Sequence, residues 1–76
     1  MYDGKMIDFN ADFELNYILK NNLKHRKKES ISNREIIKKI GDFFKIDNNV
    51  RSVYHREDFY AYVDNHKLYS TLENFN

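Results

Sequence analysis

The stretch Ile7-Asp8-Phe9-Asn10-Ala11-Asp12-Phe13-Glu14-Leu15-Asn16-Tyr17-Ile18-Leu19 alternates. Its odd positions are all apolar, and its even positions are polar except for Ile18. A period of two is the pattern of a strand with one face buried and one face open. The segment is longer than the usual strand of about 5–6 residues, so a bend or tight turn near Asn10-Ala11-Asp12 is expected to divide it. A helix over 13–23 is the competing reading, because Phe13, Tyr17, Leu19 and Leu23 partly fit helical spacing. The alternation favours strand.

Downstream, residues 20–30 form a polar, basic connection with one apolar residue, Leu23. Ser32 then precedes Glu35 by three, a capping box in which the hydroxyl meets the N3 amide and the carboxylate reaches back. Ile31 and Ile36 stand at the positions of a hydrophobic staple. Ile36, Ile37, Ile40, Phe43 and Phe44 follow on one helical face, which predicts a helix over 33–44. Gly41 inside it costs about 1 kcal/mol relative to Ala, so either a neighbour packs closely there or the helix ends early.

Asp47-Asn48-Asn49 is a turn cluster. Residues 50–55 read as a strand, Arg56-Glu57-Asp58 as a turn, and 59–64 as the hairpin partner, with Phe59, Ala61 and Val63 on one face and Tyr60 and Tyr62 on the other. Asn65 caps a last helix over 66–75, with Leu68, Leu72 and Phe75 inward. The expected architecture is a single small α+β domain over 1–76, in the order β(β)–α–β–β–α. Two helices pack on one face of a small antiparallel sheet.

A chain of 76 residues buries only roughly 60–65% of its unfolded surface, so its core is marginal. It has no cysteine to staple it. No apolar run reaches membrane-spanning length and no secretory signal pattern stands at the start, so no membrane association is expected. Lys, Asn, Ile, Tyr and Phe supply 38 of the 76 residues, all with A/T-rich codons. That composition fits an organelle, a phage or a low-GC genome. It sets the expected location as intracellular, mitochondrial or otherwise cytoplasmic.

The net charge of +1 is uninformative, but its distribution is not. Lys20, Lys24, His25, Arg26, Lys27 and Lys28 follow one another without an acid, while Asp3, Asp8, Asp12 and Glu14 gather in the first 14 residues. Basic side chains that neutralise phosphates release counterions and give salt-sensitive affinity. A solvated loop is the competing reading of such a run. Arg51, His55, Arg56, Tyr60 and Tyr62 would project from the hairpin's open face, where cations and rings suit phosphate contact and base stacking. Tyrosine is also simply a good strand former. A helix-turn-helix starting at Ser32 is disfavoured, because Asp42-Phe43-Phe44 continues the same helical face. The histidines His25, His55 and His66 are scattered, so no metal site is expected. Gly4 and Gly41 are too few for a phosphate-binding loop. No cofactor and no enzyme active site are expected.

The order of elements resembles part of a LAGLIDADG homing endonuclease repeat over about residues 8–75. Phe13-Glu14-Leu15-Asn16-Tyr17-Ile18 is similar to the strand before the family's middle helix. Residues 35–44 are similar to that helix, residues 49–54 and 59–65 to the hairpin after it, and residues 67–75 to the closing helix. The helix that names the family, with its metal-binding acid, has no match here, so the resemblance carries over no catalytic residue. It implies a truncated, non-cleaving remnant whose sheet face contacts nucleic acid.

These readings converge on a non-catalytic module that binds RNA or DNA, most of all RNA, within a larger assembly such as an organellar ribonucleoprotein. Lys20, Lys24, Arg26, Lys27 and Lys28 would hold phosphates, Arg51, His55 and Arg56 would extend the patch, and Tyr60 and Tyr62 would stack on bases. The alternative is a small protein-interaction module, such as a phage-encoded inhibitor, with Tyr54, Tyr60 and Tyr62 as interface anchors.

Overall fold

The computed structural model describes residues 5–75. It contains helix α1 (Asp12–Tyr17), prolonged by a π-helical turn (Ile18–Asn22), then α2 (Ile31–Asp47), α3 (Arg56–Asn65) and a 3₁₀ helix (Lys67–Thr71). The expected α+β architecture is overturned. Among the described residues no sheet forms, and extended pairing is limited to one antiparallel bridge between Lys27 and Asn74.

From Asp12 onward the alternating segment is helical, because Ile18, its single exception, belongs to the core. Leu15, Ile18 and Leu19 are buried at i, i+3 and i+4. Phe13 and Tyr17, which a strand would place beside Leu15, are 80% and 61% exposed. Asp12 and Glu14 lie in the first turn, where acids favour a helix N-terminus. The bend expected near Asn10 is real. The Asp8 carboxylate accepts from the Asn10 amide and the Asp8 carbonyl from the Ala11 amide, turning the chain into α1.

The central helix α2 is where the sequence places it, but longer. Its N-cap is Ser30, whose hydroxyl accepts from the Asn33 amide at 3.1 Å, instead of Ser32. Glu35 takes no part in a capping box and pairs with Lys38 one turn on. Ile31 is exposed and staples nothing. The buried face is Asn33, Ile37, Ile40, Gly41 and Phe44. The helix does not end early at Gly41, because the Phe9 ring lies on it. A Cβ there would stand 2.7 Å from two ring carbons. At the C-terminus Asn49 takes φ 54°, its amide reaches the Ile46 carbonyl and the Val50 amide reaches the Lys45 carbonyl. That is a Schellman stop, with Asn in the left-handed position.

The expected hairpin is absent. Arg56-Glu57-Asp58, read as a turn, is the first turn of α3, with two acids at its positive end. Phe59 and Val63, one turn apart, are fully buried against α2. Residues 50–55, expected as a strand, form none, and Val53 meets the start of the described chain through a backbone bond from the Ile7 amide to its carbonyl. The closing helix shrinks to the 3₁₀ helix, capped by His66 rather than Asn65, with His66 Nδ1 accepting from the Leu68 amide. Leu72 is buried as expected, while Phe75 faces solvent. One core results, built from Ile7, Leu15, Ile18, Leu19, Ile37, Ile40, Phe44, Val53, Phe59, Val63 and Leu72.

Candidate nucleic-acid interface

The basic run starts at Lys20 within the π turn and continues in the connection to α2, and three tethers fix its backbone. The Lys24 amide donates to Asp64 of α3 at 3.0 Å, the Lys27 amide to the Leu19 carbonyl at 2.8 Å, and the Lys28 amide to the Glu73 carbonyl at 3.1 Å. Asn33, fully buried in the first turn of α2, locks the far side. Its side chain donates to the Lys28 and Glu73 carbonyls and accepts from the Glu73 amide. The carboxamide thus pairs with both backbone groups of Glu73, as a neighbouring strand's peptide would. Ser30 adds a hydroxyl bond to the Glu73 carboxylate at 2.7 Å.

The run's cations divide by function. Lys27 is only 6% exposed, with Nζ donating to Asn74 at 2.8 Å and lying 4.6 Å from the Tyr69 ring centroid. It anchors the loop and is withdrawn from solvent. Lys20, Lys24, His25, Arg26 and Lys28 are exposed. The Lys24 ammonium lies 5.1 Å from the centroid of Tyr69, and the Arg26 guanidinium 3.6 Å from that of Phe75. Burial, with the Asp64 carboxylate second, pushes the Tyr69 phenol above its ordinary range, so it stays neutral beside these cations.

The remaining candidate residues do not join this surface. Arg51 and His55 are exposed at the α2–α3 connection, and His55 is the N-cap of α3. The basic loop docks at Asp64, near the other end of that helix. Roughly 13 Å of helical rise lies between. Arg56 is a structural clip. Its guanidinium donates to Glu14 and to the Lys5 and Met6 carbonyls. The Glu14 bond, ahead of every other influence, holds its pKa well above the usual value. Tyr62 is not an open stacking platform. Its ring is 5.1 Å from Phe44 and 5.4 Å from His66, and its hydroxyl donates to Asp47. Burial first, and that bond second, push the Tyr62 phenol up to about 12. Tyr60 is half-buried, packed against the core and beside Arg56. The sheet face that was to carry these tyrosines does not exist among the described residues.

Two parts of the site escaped the sequence reading. Phe75, assigned to the inside of a helix, stands beside Arg26, and Asn33, inside a helical run, organises the loop's far wall. No local pattern announces either, because Phe75 meets Arg26 and Asn33 meets Glu73 forty or more positions away.

Among the described residues no three His, Asp or Glu side chains converge as metal ligands, and no helix is long and apolar enough to cross a membrane. Comparison with protein-family models, curated proteins and solved structures returned no match.

Proposed function

We propose that this chain is a small, non-catalytic nucleic-acid-binding module that takes RNA as part of a larger intracellular assembly such as an organellar ribonucleoprotein, in a mitochondrion or otherwise in the cytoplasm. The observation that carries this reading is the run over residues 20–28, which contains no acid. Lys20, Lys24, Arg26 and Lys28 are exposed on a backbone held at Leu19, Asp64 and Glu73. Their ammonium and guanidinium groups meet a polyanion without first reorganising the chain, which limits the entropy lost on binding. Lys27 supplies rigidity, and Arg51, His55, Arg56, Tyr60 and Tyr62 leave the site.

Four phosphate contacts on a single strand give a logarithmic salt slope of about 3. The test is binding of labelled single-stranded RNA, structured RNA and duplex DNA at two salt concentrations. Replacing Lys20, Lys24 and Lys28 together by Ala should weaken binding and lower the slope by about 2. No binding to any of the three at low salt, by a chain shown to be helical, overturns the reading.

One observation favours a protein partner instead. Phe13 and Tyr17, one turn apart on α1, stand exposed with Met6 beside Tyr60, around a groove of about 800 Å³. Exposed apolar surface of this kind suits a protein contact. Phe13→Ser would abolish such an association and leave RNA binding untouched.

A further inference from the structure

A loop of cations does not by itself choose between a duplex and a single strand, because phosphate contacts position a ligand without reading its bases. A second feature beside the loop makes that choice. The chain after Leu72 runs extended across residues 27 and 28, fastened by the Lys27–Asn74 bridge and by the three side-chain bonds of Asn33. The next residue, Phe75, is 46% exposed, and its ring carries the Arg26 guanidinium at 3.6 Å from the centroid.

We infer that Arg26 and Phe75 form a stacking subsite for an unpaired base, so that the ligand of this surface is single-stranded nucleic acid. The inference rests on the nucleic-acid reading above and adds the ligand's strandedness to it. Three things carry it. The 3.6 Å distance brings the guanidinium carbon into contact with the ring face, and guanidinium and aromatic planes are the two groups on which splayed-out bases settle. Both side chains are exposed, so the pair is within reach of a ligand in solvent. Lys24 and Lys28 stand two residues to either side of Arg26 in the chain, so phosphate-holding groups accompany the ring, the combination that grips a single strand. A duplex keeps its base faces stacked on one another and offers only phosphates and groove edges. Phe75 thus takes the role first expected of Tyr60 and Tyr62, whose rings and hydroxyls are committed to the fold.

The experiment compares the full chain with Phe75→Leu, Phe75→Trp and Arg26→Lys. The probes are a labelled single-stranded RNA of mixed sequence and the corresponding RNA duplex, at two salt concentrations, with far-ultraviolet circular dichroism as the fold control. Phe75→Leu keeps apolar bulk and removes the ring. It should weaken single-strand binding about tenfold with the salt slope unchanged, and leave duplex binding as it was. Arg26→Lys, which keeps the charge and loses the plane, should also weaken the single strand more than the duplex. The chain has no tryptophan, so Phe75→Trp installs a unique fluorophore. It should retain affinity, and its emission should be quenched by the single strand and not by the duplex. Salt-dependent binding of both RNAs, with no effect of Phe75→Leu and no quenching, overturns the stacking subsite and leaves the phosphate surface standing. Failure of the unaltered chain to bind either RNA at low salt overturns the nucleic-acid reading, and this inference with it.

Discussion

At its N-terminal end α2 buries an amide, Asn33, and at its C-terminal end a ring, Phe44. Around Asn33 the neighbouring chain is held by directional bonds to the backbone of Lys28 and Glu73, with Ser30, Lys27 and Asn74 adding more. Around Phe44 the neighbours are other rings. Phe59 meets it edge-on at 5.4 Å and Tyr62 at 5.1 Å, and Phe9 meets Phe59 at 5.4 Å. One helix thus fastens a loop by hydrogen bonds and another helix by shape. The difference teaches where each kind of contact is useful. A helix presenting an apolar stripe is held by packing, which needs no partner atoms of a given kind. An extended segment such as residues 72–75 exposes backbone donors and acceptors that must be met, and a buried amide meets one of each.

The two ends should therefore fail differently. Phe59→Ala at the aromatic end should cost about 3–5 kcal/mol, since a large side chain leaves a cavity that its neighbours fill only in part. For so small a domain that is comparable with the whole stability, roughly 4–11 kcal/mol, and denaturant unfolding should show a cooperative loss with no region opening first. Asn33→Ala at the polar end should cost less, about 2–3 kcal/mol, because the Lys28 carbonyl and the Glu73 amide lose their partners. Its effect should be local. The Glu73 amide should exchange with solvent well before the amides of α3. Slow exchange at Glu73 in that variant would break the comparison, because it would mean that apolar packing of Leu72 alone holds the segment.

The sequence conveys the apolar end far better than the polar one, and the reason is the range of the interactions. Ile37, Ile40 and Phe44 are a helical pattern wherever they occur, so α2 is legible from its own residues. Its start is not. Ser32 with Glu35 is the better local signature, yet Ser30 wins through Glu73, more than forty positions away. Two of the three segments expected as strands, 7–19 and 59–64, turn on apolar pairs four apart, Leu15 with Leu19 and Phe59 with Val63. Residues four apart share a face in a strand and in a helix alike, so these pairs could not separate the two. Ile18 could, since only a helix brings it to the face of Leu15. The exposed cations of the candidate surface are legible as a run without acids. The burial of Lys27 and the stacking of Arg26 on Phe75 are not, because both depend on where residues 74 and 75 return.

A third fastening, between these two kinds, gives the smallest effect and the sharpest test of the polar one. Glu14 on α1 and Arg56 on α3 form an ion pair with both side chains 17% exposed. Arg56 also donates to the Lys5 and Met6 carbonyls, and Glu14 accepts from the Asp8 amide, so the pair closes residues 5–8 onto the two helices. Partial burial pushes the Glu14 carboxyl up, but the Arg56 hydrogen bond, the Asp8 amide and the neighbouring positive charges outweigh it and hold the group below its ordinary value. A folded pKa below the unfolded one, near 4.3, contributes stability that is complete above that value and fades as the pH falls through the folded pKa. Glu14→Gln preserves the shape and the acceptor for Asp8 while removing the charge. It should lower stability at neutral pH by about 1 kcal/mol, and the difference from the unaltered chain should close under acid, where Glu14 is itself neutral. Added salt should reduce the difference only slightly, because a partly buried pair is poorly screened. If the difference persists below the folded pKa, the carboxamide fits the site badly, and the clip works by shape, as the rings around Phe44 do, rather than by charge.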